Sequence, residues 1–353
     1  MTALDVRVDR PDRLVASVAL RGGEVTAVVG PNGSGKTTLV ESVAGTLAGE
    51  PATVRLDDTD WTGLAPQDRS VGLVFQEHLL FPHLDARANV AFGLRARGAS
   101  RRRAHAEADQ WLERLGVSGQ RHRRPDAMSG GQAQRVAVAR ALAPDPRVLL
   151  LDEPFAALDV AAAAGLRDLI HAHLVAFTGV TVFATHDALD VRALADRVLV
   201  LERGRVVQDD TPAAVAEAPA TPHAARLLGL NVLPGVAAGT EVRLDDDGGL
   251  LVLATAAHGR VLATFAPSAV TLTAAEPAGS ARNRWPATVH RAVERDGVVR
   301  VHLQGGPAAD GPLYADVTHG AAAELSLDPG RRVWASVKAT EVTALGAGRP
   351  DDR

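Results

Sequence analysis

Four runs rich in apolar residues mark the first part of the chain, at 24–29, 71–75, 148–151 and 180–184. Short apolar runs of this kind are typical of strands that are buried on both faces of a parallel sheet. Segments with helical periodicity stand between them. Residues 1–230 are therefore predicted to form an α/β domain.

The other elements of this domain are predicted from alternation, turns and caps. Residues 1–22 alternate in the manner of two antiparallel edge strands, and residues 198–207 form a closing hairpin. Helical segments are expected from the end of the glycine loop through Leu47, from Asn89, at 104–116, from Ser129 until Pro144 stops the helix, and at 160–177. Short helices are expected after Thr211 and Thr221. Those between about 84 and 143 are assigned to a helical subdomain.

The pattern changes after residue 231. Short alternating segments are separated there by turns rich in Gly, Pro and Asp, at 241–244, 250–253, 261–265, 287–289, 298–303 and 333–337. Many short strands with such turns are typical of a barrel. Residues 231–353 are therefore predicted to form a small all-β, OB-like barrel domain.

Composition narrows the classes of function. The 353 residues carry a formal net charge of -4, which argues against a dedicated nucleic-acid binder because such proteins usually have a basic excess. There is no cysteine, and hence no disulfide or thiolate metal site. No apolar run could span a bilayer and the N-terminus is not a signal peptide, so the chain is expected to stay in the cytoplasm. Lys36 and Lys338 are the only lysines among 38 basic residues.

Residues 128–159 carry the densest group of chemical signals, beginning with a helix start. Ser129 is placed to cap the helix, and Gln132 stands at the position from which a capping-box partner reaches back. With Gly130 and Gly131 between them, this helix start is a candidate site for a phosphate.

A second phosphate signal follows the first buried strand. The loop there has the sequence Gly30-Pro31-Asn32-Gly33-Ser34-Gly35-Lys36-Thr37-Thr38, which matches G-x-x-x-x-G-K-[ST] between a strand and a helix. Its glycines let backbone N–H groups converge on phosphates, Lys36 supplies a positive charge, and Thr37 can ligate magnesium. The loop therefore predicts binding of ATP or GTP.

Polar residues stand at the carboxyl ends of the other three apolar runs. Asp152 and Glu153 are adjacent acids, which suit magnesium and a water molecule. Gln76 can touch both magnesium and the attacking water. A lone histidine is usually structural, but His186 arrives at the sheet edge that also carries Lys36, which favours a functional interpretation.

Two other segments allow both a structural and a functional interpretation. The basic run at 95–103 is most simply a solvated loop, although it could contact a lipid headgroup or a partner. The apolar loop that contains Phe81, Pro82 and His83 could pack inside the domain or could dock a partner protein.

In this order, the motifs resemble those of the nucleotide-binding subunit of ABC transporters, over residues 1 to about 230. The resemblance is carried by loop 30–38, Gln76, MSGGQ at 128–132, LLLDEP at 149–154, Ala157-Leu158-Asp159 and His186. It implies a P-loop NTPase fold in which two copies pair head to tail and enclose two ATP molecules. It also implies that the nucleotide is contacted by loop 30–38, by residues 129–132 of the other copy, and by Asp159.

The same resemblance implies a division of roles. Glu153 would act as general base for the attacking water, with His186 holding the γ-phosphate and Gln76 positioning the water. Magnesium would be held by Thr37, Gln76 and Asp152.

Many family members stack the adenine on an aromatic residue near the N-terminus. The first aromatic residue here is Trp61, so the adenine must be held in another way.

The second domain resembles the molybdate-binding Mop domain (a TOBE-type domain) of molybdate importer ATPases. The resemblance is carried by Ser280-Ala281-Arg282-Asn283, by 315–318 and by 337–342. Candidate ligands for a tetrahedral dianion such as molybdate or tungstate are Ser280, Arg282, Asn283, Thr318 and Lys338. The alternative is a barrel that only dimerises the ATPase.

These resemblances favour the ATPase subunit of a molybdate importer, acting at the cytoplasmic face of the membrane on a separate permease and indirectly on an extracellular binding protein. Importers for sulfate, iron(III), polyamine or sugar are rivals. A soluble ABC ATPase is less favoured, because those usually carry two cassettes or a long coiled-coil insertion. A non-catalytic oxyanion binder is disfavoured by the intact Lys36, Asp152, Glu153 and His186.

Overall fold

The computed structural model describes residues 2–47, 52–77, 79–245, 249–295, 297–307 and 313–346. The chain divides into two compact units, Met1–Ala213 and Ala214–Arg353. The predicted boundary, after residue 230, lies further along the chain. It differs because α8 (Pro222–Leu227) packs against β11 (Asn231–Leu244) and so belongs to the second unit. Within the described ranges, no helix is both long and apolar enough to cross a bilayer.

The first unit is built on a ten-stranded sheet. Its strands are β1 (Ala3–Arg10), β2 (Leu14–Arg21), β3 (Val25–Val29), β4 (Ala52–Leu56), β5 (Thr59–Asp60), β6 (Val71–Val74), β7 (Val148–Asp152), β8 (Val180–Ala184), β9 (Arg197–Glu202) and β10 (Arg205–Asp210). Its helices are α1 (Lys36–Ala44), α2 (Ala86–Ala96), α3 (Arg101–Arg114), α4 (Gly130–Leu142), α5 (Val160–Leu174) and α6 (Ala188–Leu194), and α7 (Pro212–Glu217) spans the boundary.

The order of the strands is β5-β4-β1-β2-β10-β9-β3-β8-β7-β6. The last five, from β9 to β6, are parallel. Every residue of β3, β7 and β8 is buried, which confirms the strands predicted from the apolar runs. Because β3, β6, β7 and β8 are adjacent and parallel, the residues that follow each of them meet at one edge of the sheet.

The first two strands differ from the prediction in their position. β1 and β2 pair antiparallel as expected, but they are not edge strands, because β4 and β5 extend the sheet beyond β1 and β10 continues it beyond β2. β4 alternates between buried and exposed residues, so the same periodicity could have indicated it.

α1 ends at Ala44 rather than Leu47, because Gly45 has φ 76° and its N–H caps the helix.

Helices α2, α3 and α4 pack on one another in the interval assigned to a helical subdomain. The basic run 95–103 is exposed to solvent, as expected, at each of its arginines. The prediction that it forms a loop is wrong, because α2 continues through Arg95 and α3 begins at Arg101. Ser100 caps α3 by accepting a hydrogen bond from the N–H of Arg103.

The second unit contains two sheets around one apolar core. Its strands are β11, β12 (Leu250–Phe265), β13 (Thr271–Thr273), β14 (Asn283–Arg295), β15 (Val298–Gln304), β16 (Leu313–Val317), β17 (Arg332–Val337) and β18 (Thr343–Gly346), and its helices are α8 and α9 (His319–Leu325). The sheets have the orders β11-β12-β18 and β13-β17-β14-β15-β16. Val242, Leu251, Val301, Ala315 and Ala335 are almost fully buried between them. This arrangement is consistent with the predicted OB-like, all-β domain.

Several strands of this unit are longer than predicted. The segments 250–253 and 261–265 belong to one strand, β12, because residues 257–260 also pair with β11. β14 begins at Asn283, four residues before the predicted strand at 287–289, because Asn283 to Ala287 pair with β17. Helix α9 was not predicted at all. Thr318 caps it by accepting a hydrogen bond from the N–H of Ala321 at 3.2 Å.

Candidate functional site

A cleft of about 720 Å³ lies at the carboxyl edge of the parallel strands. It is lined by Asp12, Arg13, Asn32, Gly33, Gly35, Lys36, Thr37, Thr38, Gln76, Glu153 and His186. The structure therefore brings together the glycine loop, Gln76 beyond β6, Glu153 after β7 and His186 beyond β8. Residues as far apart in the sequence as Asp12 and His186 therefore share one site.

The loop between β3 and α1 has the geometry of a phosphate cradle. Gly33 and Gly35 have φ values of 77° and 106°, in the left-handed region that favours glycine. A Cβ atom at Gly30 would lie 2.2 Å from the carbonyl oxygen of Leu201, so only glycine fits there. The Ser34 hydroxyl is buried and has no hydrogen-bond partner among the described residues. These features suit a loop that closes around an anion.

Lys36 is the positive charge of this cradle. Its side chain is buried, and Nζ donates to the carbonyl oxygens of Gly30 and Pro31 at 2.8 and 3.2 Å. Burial lowers the pKa of Lys36, and the carboxylates of Glu153 and Asp152 oppose that shift. The ammonium group is thus held on the loop by two carbonyl groups, where it also lines the cleft that a bound anion would enter.

The oxygen atoms beside Lys36 could hold a magnesium ion. Asp152 is buried at the end of β7, and Thr37 donates a hydrogen bond to its carboxylate. Burial raises the pKa of Asp152, while the bond from Thr37 and the charge of Lys36 oppose the shift. Among the described residues, no group of three or more His, Cys, Asp or Glu forms a protein-only metal site. A hydroxyl, one carboxylate and the Gln76 amide instead suit Mg²⁺, which keeps waters and phosphates in its coordination shell.

Glu153 lies at the centre of the polar groups. Its Oε2 is 3.3 Å from Nε2 of Gln76 and 3.3 Å from Nδ1 of His186. The backbone of Glu153 has φ 47°, a left-handed conformation that a non-glycine residue adopts only at a cost. Strain of this kind is concentrated at functional sites. A carboxylate held between an amide and an imidazole is placed to accept a proton from a water molecule.

The helix start at Ser129 lies outside this cleft. The Ser129 hydroxyl accepts a hydrogen bond from the N–H of Gln132 at 3.4 Å, and Gln132 Oε1 accepts one from the N–H of Ser129 at 3.1 Å, so the predicted capping box is present. The side-chain oxygen of Gln132 is therefore used within the helix start. Ser129 and Gly130 are exposed, and neither lines the cleft of its own chain.

Asp159 also has a structural partner in this chain. Its Oδ1 accepts a hydrogen bond from the N–H of Ala162 at 2.8 Å and caps α5. The preceding loop borders the Ser129 helix start, since a Cβ at Gly131 would lie 3.8 Å from Leu158. Gln134 of α4 strengthens this junction by donating from Nε2 to the carbonyl oxygen of Pro154 at 2.7 Å.

Asp12 and Arg13 are cleft residues that the sequence did not indicate. They belong to the turn between β1 and β2, and the carbonyl oxygen of Arg13 would lie 3.0 Å from a Cβ at Gly35. Arg13 thus lies beside the start of α1. Among the described residues that line the cleft, His186 supplies the one aromatic ring, and the flat guanidinium of Arg13 is a group that could stack on a base.

The five oxyanion candidates of the second unit do not meet within one chain. Asn283 is buried, and its side chain bonds to both the N–H and the carbonyl oxygen of Val252, at 2.6 and 2.9 Å. Ser280, Arg282 and Lys338 are exposed near the pair formed by Asn283 and Val337. Thr318 follows β16 at the opposite end of the same sheet, where Val299 pairs with Val317. Within one chain the candidates therefore fall into two separate groups.

Comparison with known proteins gives matches along the whole chain. The ABC transporter family matches residues 15–156, and the TOBE domain family matches residues 279–344. The molybdenum import ATP-binding protein ModC of Mycobacterium tuberculosis (strain CDC 1551 / Oshkosh) is 42% identical over 358 residues, covering 97% of each chain. The sulfate/thiosulfate import ATP-binding protein CysA of Nocardia farcinica is 39% identical over 337 residues, covering 93% of each.

A solved structure resembles the first unit. It is the dimeric, post-hydrolysis state of the ATP-binding cassette MJ0796 bound to ADP and Pi, with 28% sequence identity and a TM-score of 0.53. The match covers 60% of this chain and 98% of that one. The similarity therefore extends over a complete cassette, whereas the full-length similarity to the two import proteins includes the second unit.

Proposed function

Because this chain belongs to the ABC transporter family of import ATP-binding proteins, we propose that it is the ATP-hydrolysing subunit of a molybdate importer. Hydrolysis of ATP and coupling to import are properties of that family. The choice of molybdate is supported by the 42% identity to ModC over 97% of both chains. Sulfate is the second candidate, because identity to CysA is 39% over 93% of both chains.

The cleft supports a specific assignment of roles in hydrolysis. Lys36 and the N–H groups of loop 30–38 bind the β- and γ-phosphates, and Glu153 accepts the proton of the attacking water. Gln76 orients that water, and His186 holds the γ-phosphate. Thr37, Asp152 and Gln76 would hold Mg²⁺, which when bound neutralises charge that develops on the phosphates. Arg13 contacts the base.

Two copies of the chain are needed to complete the site. Ser129 and Gly130 at this helix start are exposed and lie outside the cleft of their own chain, yet a helix start is suited to phosphate. Pairing head to tail would bring Ser129 and Gly131 of one copy to the phosphates bound by the other. The dimeric state of the MJ0796 cassette supports this arrangement.

The loop between β6 and α2 is the surface that we propose for docking the permease. Leu79 is 53% and Phe92 49% exposed, and the rings of Phe81 and Phe92 are 4.5 Å apart. Asn89 fixes this loop by bonding to both the N–H and the carbonyl oxygen of Phe81. Gln76 lies in this same loop, so movement at the docking surface would reach the cleft. The chain would then act at the cytoplasmic face of the membrane, with an extracellular binding protein delivering the cargo.

The cargo can be tested in cells from which this chain has been deleted. We expect uptake of labelled molybdate to fall to the background level while sulfate uptake is unchanged, because only the molybdate permease would lose its ATPase. Restoring the wild-type chain should restore uptake, whereas a Lys36→Ala chain should not. Loss of sulfate uptake with molybdate uptake intact would reverse the assignment.

The second unit is proposed to bind the oxyanion between two copies. Ser280, Arg282 and Lys338 lie at one end of the larger sheet and Thr318 at the other, so only two chains could place all of them around one ion.

We expect calorimetry on the full-length dimer to detect molybdate and tungstate but not sulfate, and Lys338→Ala to weaken binding by about tenfold or more. Arg243→Ala, at an exposed position of β11, is the matched control. Equal binding of sulfate, or no effect of Lys338→Ala, would contradict the proposal.

A further inference from the structure

A buried ion pair lies behind the two loops that carry Glu153 and His186. Arg167 of α5 donates from Nε and Nη2 to Oδ1 of Asp190 in α6, at 2.9 and 2.6 Å. The side chains of Arg167 and Asp190 are only 13% and 3% exposed. Neither residue lines the cleft, so neither can touch the nucleotide from its present position.

The second carboxylate oxygen of Asp190 is bonded to the turn that holds His186. Thr185 Oγ1 donates to Oδ2 of Asp190 at 2.6 Å, and the N–H of Asp187 donates to the same hydroxyl at 3.0 Å. His186 lies between these two anchored residues. The backbone that carries the imidazole is thus fixed through the hydroxyl of Thr185.

The same guanidinium contacts the loop that follows Glu153. Cζ of Arg167 lies 5.2 Å from the centroid of the Phe155 ring, and Phe155 is buried. Arg167 therefore supports the turn of His186 through Asp190 and the loop of Glu153 through Phe155. The two supported side chains meet in the cleft at 3.3 Å.

Stability alone does not account for this arrangement. Removing two charges from water costs about as much as their attraction returns, and apolar side chains of similar volume often serve a core equally well. Burial also raises the pKa of Asp190, against the hydrogen bonds from Thr185 and Arg167. What the ion pair provides is direction, since Arg167 holds the Asp190 carboxylate that accepts the hydrogen bond from Thr185 in the turn.

We propose that Arg167, Asp190 and Thr185 are positioning residues for ATP hydrolysis, which hold His186 and Glu153 at the separation that the reaction needs. The proposal rests on the roles assigned to Glu153 and His186 under Proposed function. Displacement of a reacting group by about 1 Å can cost about a hundredfold in rate. Removing the contacts that hold the loops of His186 and Glu153 is therefore expected to lower turnover strongly and to change ATP binding only slightly.

Thr185→Val tests the proposal with the least change in shape. We expect kcat to fall by about tenfold or more while KM for ATP stays within about twofold. Thr185→Ser, which restores the hydroxyl, should recover most of kcat. Thr26→Val is the matched control, because Thr26 is buried in neighbouring β3 and its hydroxyl has no hydrogen-bond partner among the described residues.

A double substitution separates positioning from stability. Arg167→Met with Asp190→Leu replaces the pair by apolar side chains, so Tm should fall by only about a few degrees, owing to the Thr185 hydroxyl left unpaired, while kcat falls as in Thr185→Val. In a His186→Ala background, Thr185→Val should cost much less than in the wild type, because the group that it positions is absent.

Two results would overturn the proposal. The first is a normal kcat in Thr185→Val and in the double variant while Glu153→Gln and His186→Ala are inactive, which leaves the assigned roles intact and removes the positioning role. The second is loss of kcat only in proportion to loss of Tm, without recovery in Thr185→Ser. If Glu153→Gln and His186→Ala themselves hydrolyse ATP normally, the assigned roles fail instead, and the positioning proposal falls with them.

Discussion

Glu153→Gln is expected to slow ATP hydrolysis by about two to four orders of magnitude, which is the usual contribution of a general base. An amide of the same size cannot accept the proton of the attacking water. The contacts at 3.3 Å to Gln76 and His186 can be kept by the amide oxygen or nitrogen, so ATP should still bind. Phosphate release under single-turnover conditions measures the loss.

The same variant should accumulate a dimer in the presence of ATP. If two copies enclose the nucleotide, hydrolysis is the event that releases them, and size-exclusion chromatography with ATP and magnesium should show a stable dimer of Glu153→Gln. Glu41→Gln, on α1 and outside the cleft lining, is the control and should behave as the wild type. A Glu153→Gln protein that hydrolyses ATP at a rate near that of the wild type would exclude Glu153 as the base.

Lys36→Ala is expected to weaken ATP binding by about tenfold to a hundredfold for each charge-assisted hydrogen bond lost, since such bonds contribute about 1.5–3 kcal/mol. The ammonium group is buried and its pKa is lowered by burial, so its removal relieves a desolvation cost in the free protein. The variant should therefore fold normally and fail only with nucleotide.

Thermal unfolding distinguishes these effects. Wild-type protein should gain Tm when ATP is added, because a ligand that binds only the folded state stabilises it. Lys36→Ala should keep the Tm of the free protein and lose the ATP-dependent increase. Arg55→Ala, an exposed cation on β4, should keep both. An unchanged ATP-dependent increase in Lys36→Ala would remove this lysine from the phosphate site.

The polar residues that follow the parallel strands could be predicted from sequence because each stands at the end of a buried apolar run. The residues just beyond a parallel strand lie at the sheet edge, so Gln76, Glu153 and His186 needed no knowledge of strand order. The capping box at Ser129 could be predicted for the same kind of reason, since it depends only on residues three apart.

Contacts that depend on sheet order or register could not be predicted in this way. Arg13 reaches the cleft because the turn between β1 and β2 packs against the start of α1, and Arg167 reaches Asp190 across two helices. The oxyanion candidates are separated for a related reason. The antiparallel register places Thr318 at the opposite end of the larger sheet from Lys338.

With the role proposed for Glu153 as general base, its left-handed backbone means that stability and activity favour different residues at this position. A non-glycine residue in this conformation costs about 1 kcal/mol or more, and glycine would occupy it without that cost. Random substitution followed by selection for thermal resistance would therefore tend to enrich glycine or asparagine at position 153, and with it inactive protein. Any effort to make this enzyme more durable should hold that position constant and seek its gains elsewhere in the chain.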